Sequence, residues 1–330
     1  MYVLVTPGCR ILAVMRGQLA VLVAAFAVAC GPHDAARPTF DPWAVVPSTD
    51  DPPDLATTHA IAERACPRVT APYLFAVERS GKVSHILGTR HLGVSLAKMP
   101  AAVRDRIRIA SLAVFETPVE DDSEPLPAVV GPPLRDQLGP ALWGRYRTLV
   151  GHVAAAAAEH ARPSEALVTL IALYEDRTAA LDLEIEREVV AAGIPTRGLE
   201  THAFQQQLIL ELMDLRMLRA TLAGTPDRAT LEREAIDDLH DYCIGADDEP
   251  GFDRDTRAQL KAGGMSDAEI DALDDKLVFS RNRDWIPKLE QLFGAAGGVF
   301  VAVGADHLTG DRGVIALLAA RGWKTARIAP

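Results

Sequence analysis

Aromatic side chains are scarce here: Phe, Trp and Tyr make up 5% of 330 residues. A core built from this chain must rest largely on Ala, Leu, Val and Ile, within a hydrophobic content of 48% that is ordinary for a globular protein. Basic charge is short as well, with 34 Lys and Arg against 45 Asp and Glu and a formal net charge of −11. Phosphate binding wants a basic surface, so nucleic acid is not an expected partner. Only four cysteines occur, at positions 9, 30, 66 and 243, and none stands in a CxxC or a metal-finger spacing. A Gly-rich phosphate loop and the GxSxG elbow of serine hydrolases are both missing.

A long hydrophobic run is also lacking. Arg16 precedes "QLAVLVAAFAVA", a stretch that stops at Cys30. About twelve apolar residues suit a signal-peptide core and fall short of the ~20 that span a bilayer as a helix. Ala27 and Ala29 before Cys30 resemble a bacterial lipobox, although Ala27 stands where Leu is usual. That resemblance implies removal of residues 1–29, lipidation of Cys30 and a place in the cell envelope, on the periplasmic or outer-membrane face. A plain secretory signal or a single anchor is the alternative, and Met15 offers a second start. With Cys9 removed and Cys30 lipidated, Cys66 and Cys243 are left as two thiols able to pair in an oxidising compartment. The spacing does not decide whether they meet.

Residues 30–68 are rich in Pro and Asp without either structural period and read as a disordered tether. Order is expected from there, in one domain over 69–330. "YLFAVER" and "KVSHILG" flank Ser80-Gly81 and predict a hairpin. "PAAVRDRIRIA" has helical spacing, and "SLAVFE" predicts a buried strand ending in Glu116. From about 134 to 290 the chain should be mainly helical, with "SEALVTLIALYEDRTAALDLEIEREVVAAG" and "AFQQQLILELMDLRMLRATLAG" as long helical runs. "TRGLET" between them is a short strand carrying Glu200, and "ADDEPGFDRDTRAQ" reads as a loop or insertion. "GGVFVAVGADHLTGDRGVIALLAARGWKTARI" predicts strand, turn, helix and edge strand. The fold class is therefore α/β (α+β): two similar β/α units at the chain ends make a small sheet core, with a mainly helical section between.

Those two units share a motif. Gly88-Thr89-Arg90-His91-Leu92 and Gly304-Ala305-Asp306-His307-Leu308 each follow an apolar strand-like run and lead towards a helix. A Gly ending a strand lets the backbone turn sharply, and ligands of open α/β sheets bind at such edges. Two imidazoles with a carboxylate describe a hydrolytic metal site, and Glu116 and Glu200 close their apolar segments in the same way. The plainer reading is that these histidines cap helices or bond to loops. Trp285 and Trp323 read as core anchors. His59, His152, His160, His202 and His240 lack any motif and read as solvated.

"YLFAVERSGKVSHILGTRHLG", "SLAVFE", "GIPTRGLETHAFQQQLILEL", "SRNRDWIPKLEQLF" and the C-terminal segment together resemble the TraB/GumN family, in the family's order. That family includes the Tiki proteins, metal-dependent proteases that clip exposed peptides outside the cell. The resemblance implies a divalent transition metal (Zn, Mn or Co) held by His91, Glu116 and His307, with Glu200 as general base or further ligand. It matches Arg281 and Asn282 to the family's "RN" pair. Arg281 and Arg283 could grip a substrate carboxylate, and Asn282 could bond a metal ligand. Arg90 and Asp306 depart from the family's pattern and place opposite charges beside the two histidines, able to pair or to tune substrate choice. The expected activity is hydrolysis of exposed peptides or proteins by a membrane-anchored enzyme, or of esters on the same scaffold. A non-enzymatic lipoprotein holding a peptide or small ligand is the competing reading. Oligomeric state is not legible.

Overall fold

The computed structural model describes residues 51–119, 126, 128–246, 251–295 and 297–329. Cys30, its leader and most of the expected tether lie outside the described residues. Helix α1 (Leu55–Ala65) comes first, then the hairpin β1 (Leu74–Arg79) and β2 (Lys82–Thr89), α2 (Ala101–Arg108) and β3 (Leu112–Phe115). Helices α3 (Leu134–Val150), α4 (His152–Ala158), α5 (Pro163–Ile171) and α6 (Leu181–Ala191) lead to β4 (Thr196–Gly198). After it come α7 (His202–Leu212), α8 (Leu215–Gly224), α9 (Arg228–Ile244), α10 (Arg254–Ala262) and α11 (Asp267–Asp274). A π turn (Asp275–Phe279) joins α11 to α12 (Ser280–Ala295), and β5 (Val299–Gly304), α13 (Val314–Ala320) and β6 (Lys324–Arg327) complete the fold.

The six strands form one sheet in the order β4-β3-β5-β2-β1-β6. Strands β4, β3, β5 and β2 run parallel, while β1 is antiparallel to both β2 and β6. The central strands are continuous apolar runs because both sheet faces are covered, as parallel sheets require. Val299, Phe300, Val301, Ala302 and Val303 are all buried, as are Ala113, Val114 and Phe115. The outer strand β6 shows Lys324 and Arg327 to solvent, charges that blunt an open edge. A second buried cluster, with Leu138, Tyr146, Leu167, Leu218, Leu260 and Ile270, joins α3, α5, α8, α10 and α11 into a helical layer.

Three sequence expectations need correction. The tether ends early: α1 is helical, capped by Asp54 through the Thr57 N–H, and buries Ile61, Ala62 and Ala65. Short apolar spacing amid polar residues hid a helix whose stability comes from its contacts. The two long helical runs are each broken. Asp214 caps the start of α8 by accepting from Met217 N at 2.9 Å, and Asp176 folds residues 172–180 by accepting from Thr178 N and Oγ1. The acidic loop is partly helix, since α10 begins at Arg254; residues 247–250 lie outside the described residues.

Cys66, which ends α1, is bonded to Cys243 in α9, with Cα atoms 5.8 Å apart. The Cys243 carbonyl also accepts from Thr70 N at 2.8 Å, so the bridge lies where α1, α9 and the approach to β1 converge. One residue before Cys243, the Tyr242 hydroxyl donates to the Gly88 carbonyl at 2.9 Å. Gly88 is held in a tight place. A Cβ there would lie 2.8 Å from Tyr73 Cβ and 3.0 Å from Ala305 Cα, so the first GxxH glycine is where the second GxxH turn packs down.

Removing the disulfide by Cys66→Ser with Cys243→Ser should cost about 2–5 kcal/mol, since it closes a long loop. Denaturant melts of the oxidised and double-Ser proteins will measure it. Gly88→Ala should destabilise by roughly 1–3 kcal/mol through overpacking, read by the same melts.

Candidate active site

The register of the parallel strands brings the chemistry together. Thr89 pairs with Gly304, Phe115 with Ala302 and Phe115 with Gly198. His91, His307, Glu116 and Glu200 each stand one to three residues past the carboxyl end of a strand, on four neighbouring strands. This is the edge at which α/β sheets bind ligands. Two residues more than 200 positions apart in sequence thus share one sheet edge.

Arg281, on α12, lies at the centre of this edge with 8% of its side chain exposed. Its Nη2 donates to Glu116 Oε2 at 2.6 Å and to Glu200 Oε1 at 2.5 Å, and its Nε to Glu200 Oε2 at 3.1 Å. Its Nη1 donates to the Leu277 carbonyl in the π turn at 2.8 Å and to His307 Nε2 at 3.2 Å. Trp285, one helical turn on, takes the guanidinium against its ring and donates Nε1–H to Glu200 Oε2 at 3.2 Å. Gln205, on α7, donates to both carboxylates, at 3.0 Å to Glu116 Oε2 and 3.3 Å to Glu200 Oε1. The Gly304 N–H donates to Glu116 Oε1 at 2.8 Å.

The two imidazoles are held in opposite states. His307 is buried; because its Nε2 accepts from Arg281, the ring proton resides on Nδ1, which donates to Asn282 Oδ1 at 2.7 Å. Asn282 is fully buried and its amide donates to the Arg312 carbonyl at 3.1 Å, which fixes the amide's orientation. The Trp285 ring lies 4.4 Å from the His307 ring, centroid to centroid. Burial first, then the Arg281 charge, outweighs the pull of Glu116 and lowers His307 to about 3, so it is neutral. His91 keeps 47% of its side chain in solvent contact, and its Nδ1 bonds Asp182 Oδ2 at 2.7 Å. The surrounding chain works against charge on this ring, but Asp182 overrides it by charge and hydrogen bond and raises His91 to about 9. Desolvation alone would raise Glu116; Arg281, the imidazoles and Gly304 N–H instead hold it well below the usual carboxylate range. For Glu200 burial wins, and its carboxyl is raised despite Arg281.

Several expectations about individual residues change. Arg281 is not free for a substrate carboxylate, because Glu116 and Glu200 already occupy its fork. Arg283 is exposed and forms a bidentate pair with Asp275, both contacts at 3.0 Å. Arg90 pairs with Glu175 at 2.7 Å rather than with Asp306. His202 is buried, not solvated, and donates Nε2–H to the Pro118 carbonyl at 2.7 Å. Trp285 and Trp323 are both core residues, Trp285 with the additional polar role above. Sequence reasoning missed Asp182 and Gln205: each sits in an ordinary helical segment, and only the fold brings it to His91 or Glu116.

The expected metal ligands do not assemble as one centre in this arrangement. Glu116 has both oxygens engaged by protein donors, and His307 Nε2, 3.9 Å from Glu116 Oε1, faces the Arg281 guanidinium. His91 bonds Asp182 through Nδ1, which leaves Nε2 as the ring nitrogen that could face an ion. Among the described residues no group of three or more His, Cys, Asp or Glu is arranged to hold a metal ion. The cation at the meeting point of Glu116, Glu200 and His307 is a guanidinium. With Arg281 on both Glu116 and His307 Nε2, the described residues as arranged do not present His91, Glu116 and His307 to one transition-metal ion.

Beside these groups is a small hollow of about 20 Å³, lined by His91, Phe115, Glu116, Thr117, Asp182, Gln205 and Ala302. One imidazole and two carboxylates thus share the lining of a space the size of a water molecule.

Arg281→Met would leave two carboxylates buried without their cation and should cost about 3–5 kcal/mol. In the wild type the depressed Glu116 gives stability that is fully present above the unfolded carboxylate range and declines as pH falls from there towards its lowered folded value. The gap between wild type and variant should therefore narrow on acidification, which melts at pH 7 and at pH 4 will check.

No curated protein and no solved structure matches this chain. The paired Gly-x-x-His turns, the two glutamates and the Arg-Asn pair, now seen on one sheet edge, lie within a match to the TraB/PrgY/gumN family model over residues 73–327, and the chain belongs to that family.

Proposed function

We propose that this chain is an exported hydrolase of the cell envelope, lipid-anchored through Cys30, that cleaves exposed peptides. The observation that carries this reading is a water-sized hollow lined by both the solvent-open His91, which Asp182 favours in its charged form, and Glu116, which Arg281 keeps ionised. Environments that push titratable groups apart in this way assign acid and base roles. Water adds its oxygen to the substrate carbonyl carbon and passes a proton to Glu116, while His91 protonates the leaving nitrogen. Return of the proton from Glu116 to His91 resets the site, and the direction of their two shifts makes that return favourable. Asp182 keeps His91 charged and oriented. Arg281, His307 and Asn282 form the buried frame that fixes Glu116.

The disulfide supports the compartment half of this reading, because such bridges persist in oxidising environments. No described helix is long and apolar enough to cross a membrane. The competing binding-protein reading calls for a deep apolar cleft, and this hollow is small. Hydrolysis of an ester needs the same groups and differs in the leaving atom.

The purified chain should hydrolyse members of a fluorogenic peptide library in the presence of a chelator. His91→Ala and Asp182→Asn should each lower kcat by about 10²-fold or more, in line with loss of a general acid. Failure to cleave any peptide or ester would sink the hydrolase reading. Stoichiometric Zn, Mn or Co in the wild type, lost in both His91→Ala and His307→Ala, would replace this mechanism with a metal-dependent one.

A further inference from the structure

Glu116 is fixed by Arg281, Gln205 and the Gly304 N–H and lines the hollow. A water attacking beside it must be positioned well, and something in the hollow must do the positioning. Thr117 is the one hydroxyl in the lining. The residue is 1% exposed, and its Oγ1 is buried without a hydrogen-bond partner. A buried hydroxyl left unpaired costs stability, so an orphan of this kind calls for an explanation. Thr89 Oγ1 is orphaned too, but Thr89 does not line the hollow.

The backbone that carries Thr117 is held from several sides. Leu199 N donates to the Phe115 carbonyl at 2.9 Å, and Glu200 N to the Glu116 carbonyl at 2.8 Å, so the ladder between β3 and β4 runs past the strand ends. His202 grips the next carbonyl, that of Pro118. A Cβ on Gly198 would come within 2.5 Å of Pro118 N and 2.8 Å of the Thr117 carbonyl carbon. Glycine in β4 is what lets this segment cross so closely. Thr117 is thus locked in place while its hydroxyl is left unpaired by protein.

The hollow meets both needs of a bound water. Its volume of about 20 Å³ exceeds the ~10–15 Å³ that one water requires. His91, Glu116, Asp182 and Gln205 supply further polar partners around it. We infer that Thr117 is a positioning residue that holds a water molecule in this hollow, against Glu116. The inference rests on the hydrolase reading only for calling that water the nucleophile.

Thr117→Val keeps the shape and removes the hydroxyl, and Thr117→Ser keeps the hydroxyl. In a high-resolution crystal structure of the full chain, a water should lie within hydrogen-bond distance of Thr117 Oγ1 and be lost in Thr117→Val. Thr117→Val should melt no lower than wild type. With a cleaved fluorogenic peptide, its kcat should fall at least about tenfold at unchanged KM, with Thr117→Ser restoring most of it. The inference is overturned if the wild-type hydroxyl bonds a protein group or no water lies beside it. A Tm well below wild type in Thr117→Val, or an unchanged kcat, overturns it equally. If the wild type cleaves nothing, the proposed activity fails while the crystallographic water still decides whether Thr117 holds one.

Discussion

The site depends on one buried guanidinium. Arg281 brings a fixed positive charge between Glu116 and Glu200, two carboxylates that would otherwise repel each other at the ends of adjacent strands. Burying such charges is tolerable only where geometry and added hydrogen bonds compensate. Here the compensation is dense: Gln205, Trp285 and Gly304 N–H satisfy the remaining oxygen positions. The same guanidinium makes His307 an acceptor and so selects its tautomer. One side chain on α12 thereby ties β3, β4 and the second GxxH turn into a single frame.

His91 lies apart from that frame and nearer to solvent. His91 belongs to the first GxxH turn, which is adjacent to the second but paired with Asp182 from α6 instead of with Arg281. The two motif histidines therefore share a sheet edge and differ in charge. Close packing enforces their relative placement, because Gly88 lies against Ala305 with no room for a side chain. Tyr242 and the neighbouring Cys66–Cys243 bridge hold the first turn from the other side. Stabilising groups far from the hollow thus set the position of His91.

Much of this was legible in the sequence. The hairpin, the parallel-strand runs and the repeated GxxH turns followed from local pattern, and the grouping of Glu116, Glu200 and Asn282 from family resemblance, their roles aside. Errors arose where an element's limits are set by a few side-chain hydrogen bonds. Asp214 and Asp176 each break a run of good helix formers, because a capping carboxylate can outweigh several tenths of a kcal/mol of helix propensity per residue. Helix α1 was hidden for the converse reason: its own pattern is weak, and α9 and the disulfide hold it in place. Arg281 was recognised as part of the site but expected to meet substrate. Nothing local to α12 shows that two glutamates, 81 and 165 residues away, occupy its fork.

By itself, the sequence determined which residue types stand at the ends of which strands, since alternation, apolar runs and turn glycines are local properties of the chain. Tertiary structure alone decided the charge states of those residues. A charge state depends on burial and on the nearest opposite charge, and both are supplied by segments far away in sequence. His91 and His307 have the same motif and the same intrinsic chemistry. One faces Asp182 near solvent and the other faces Arg281 in the core, and that difference in surroundings separates a protonated imidazole from a neutral acceptor.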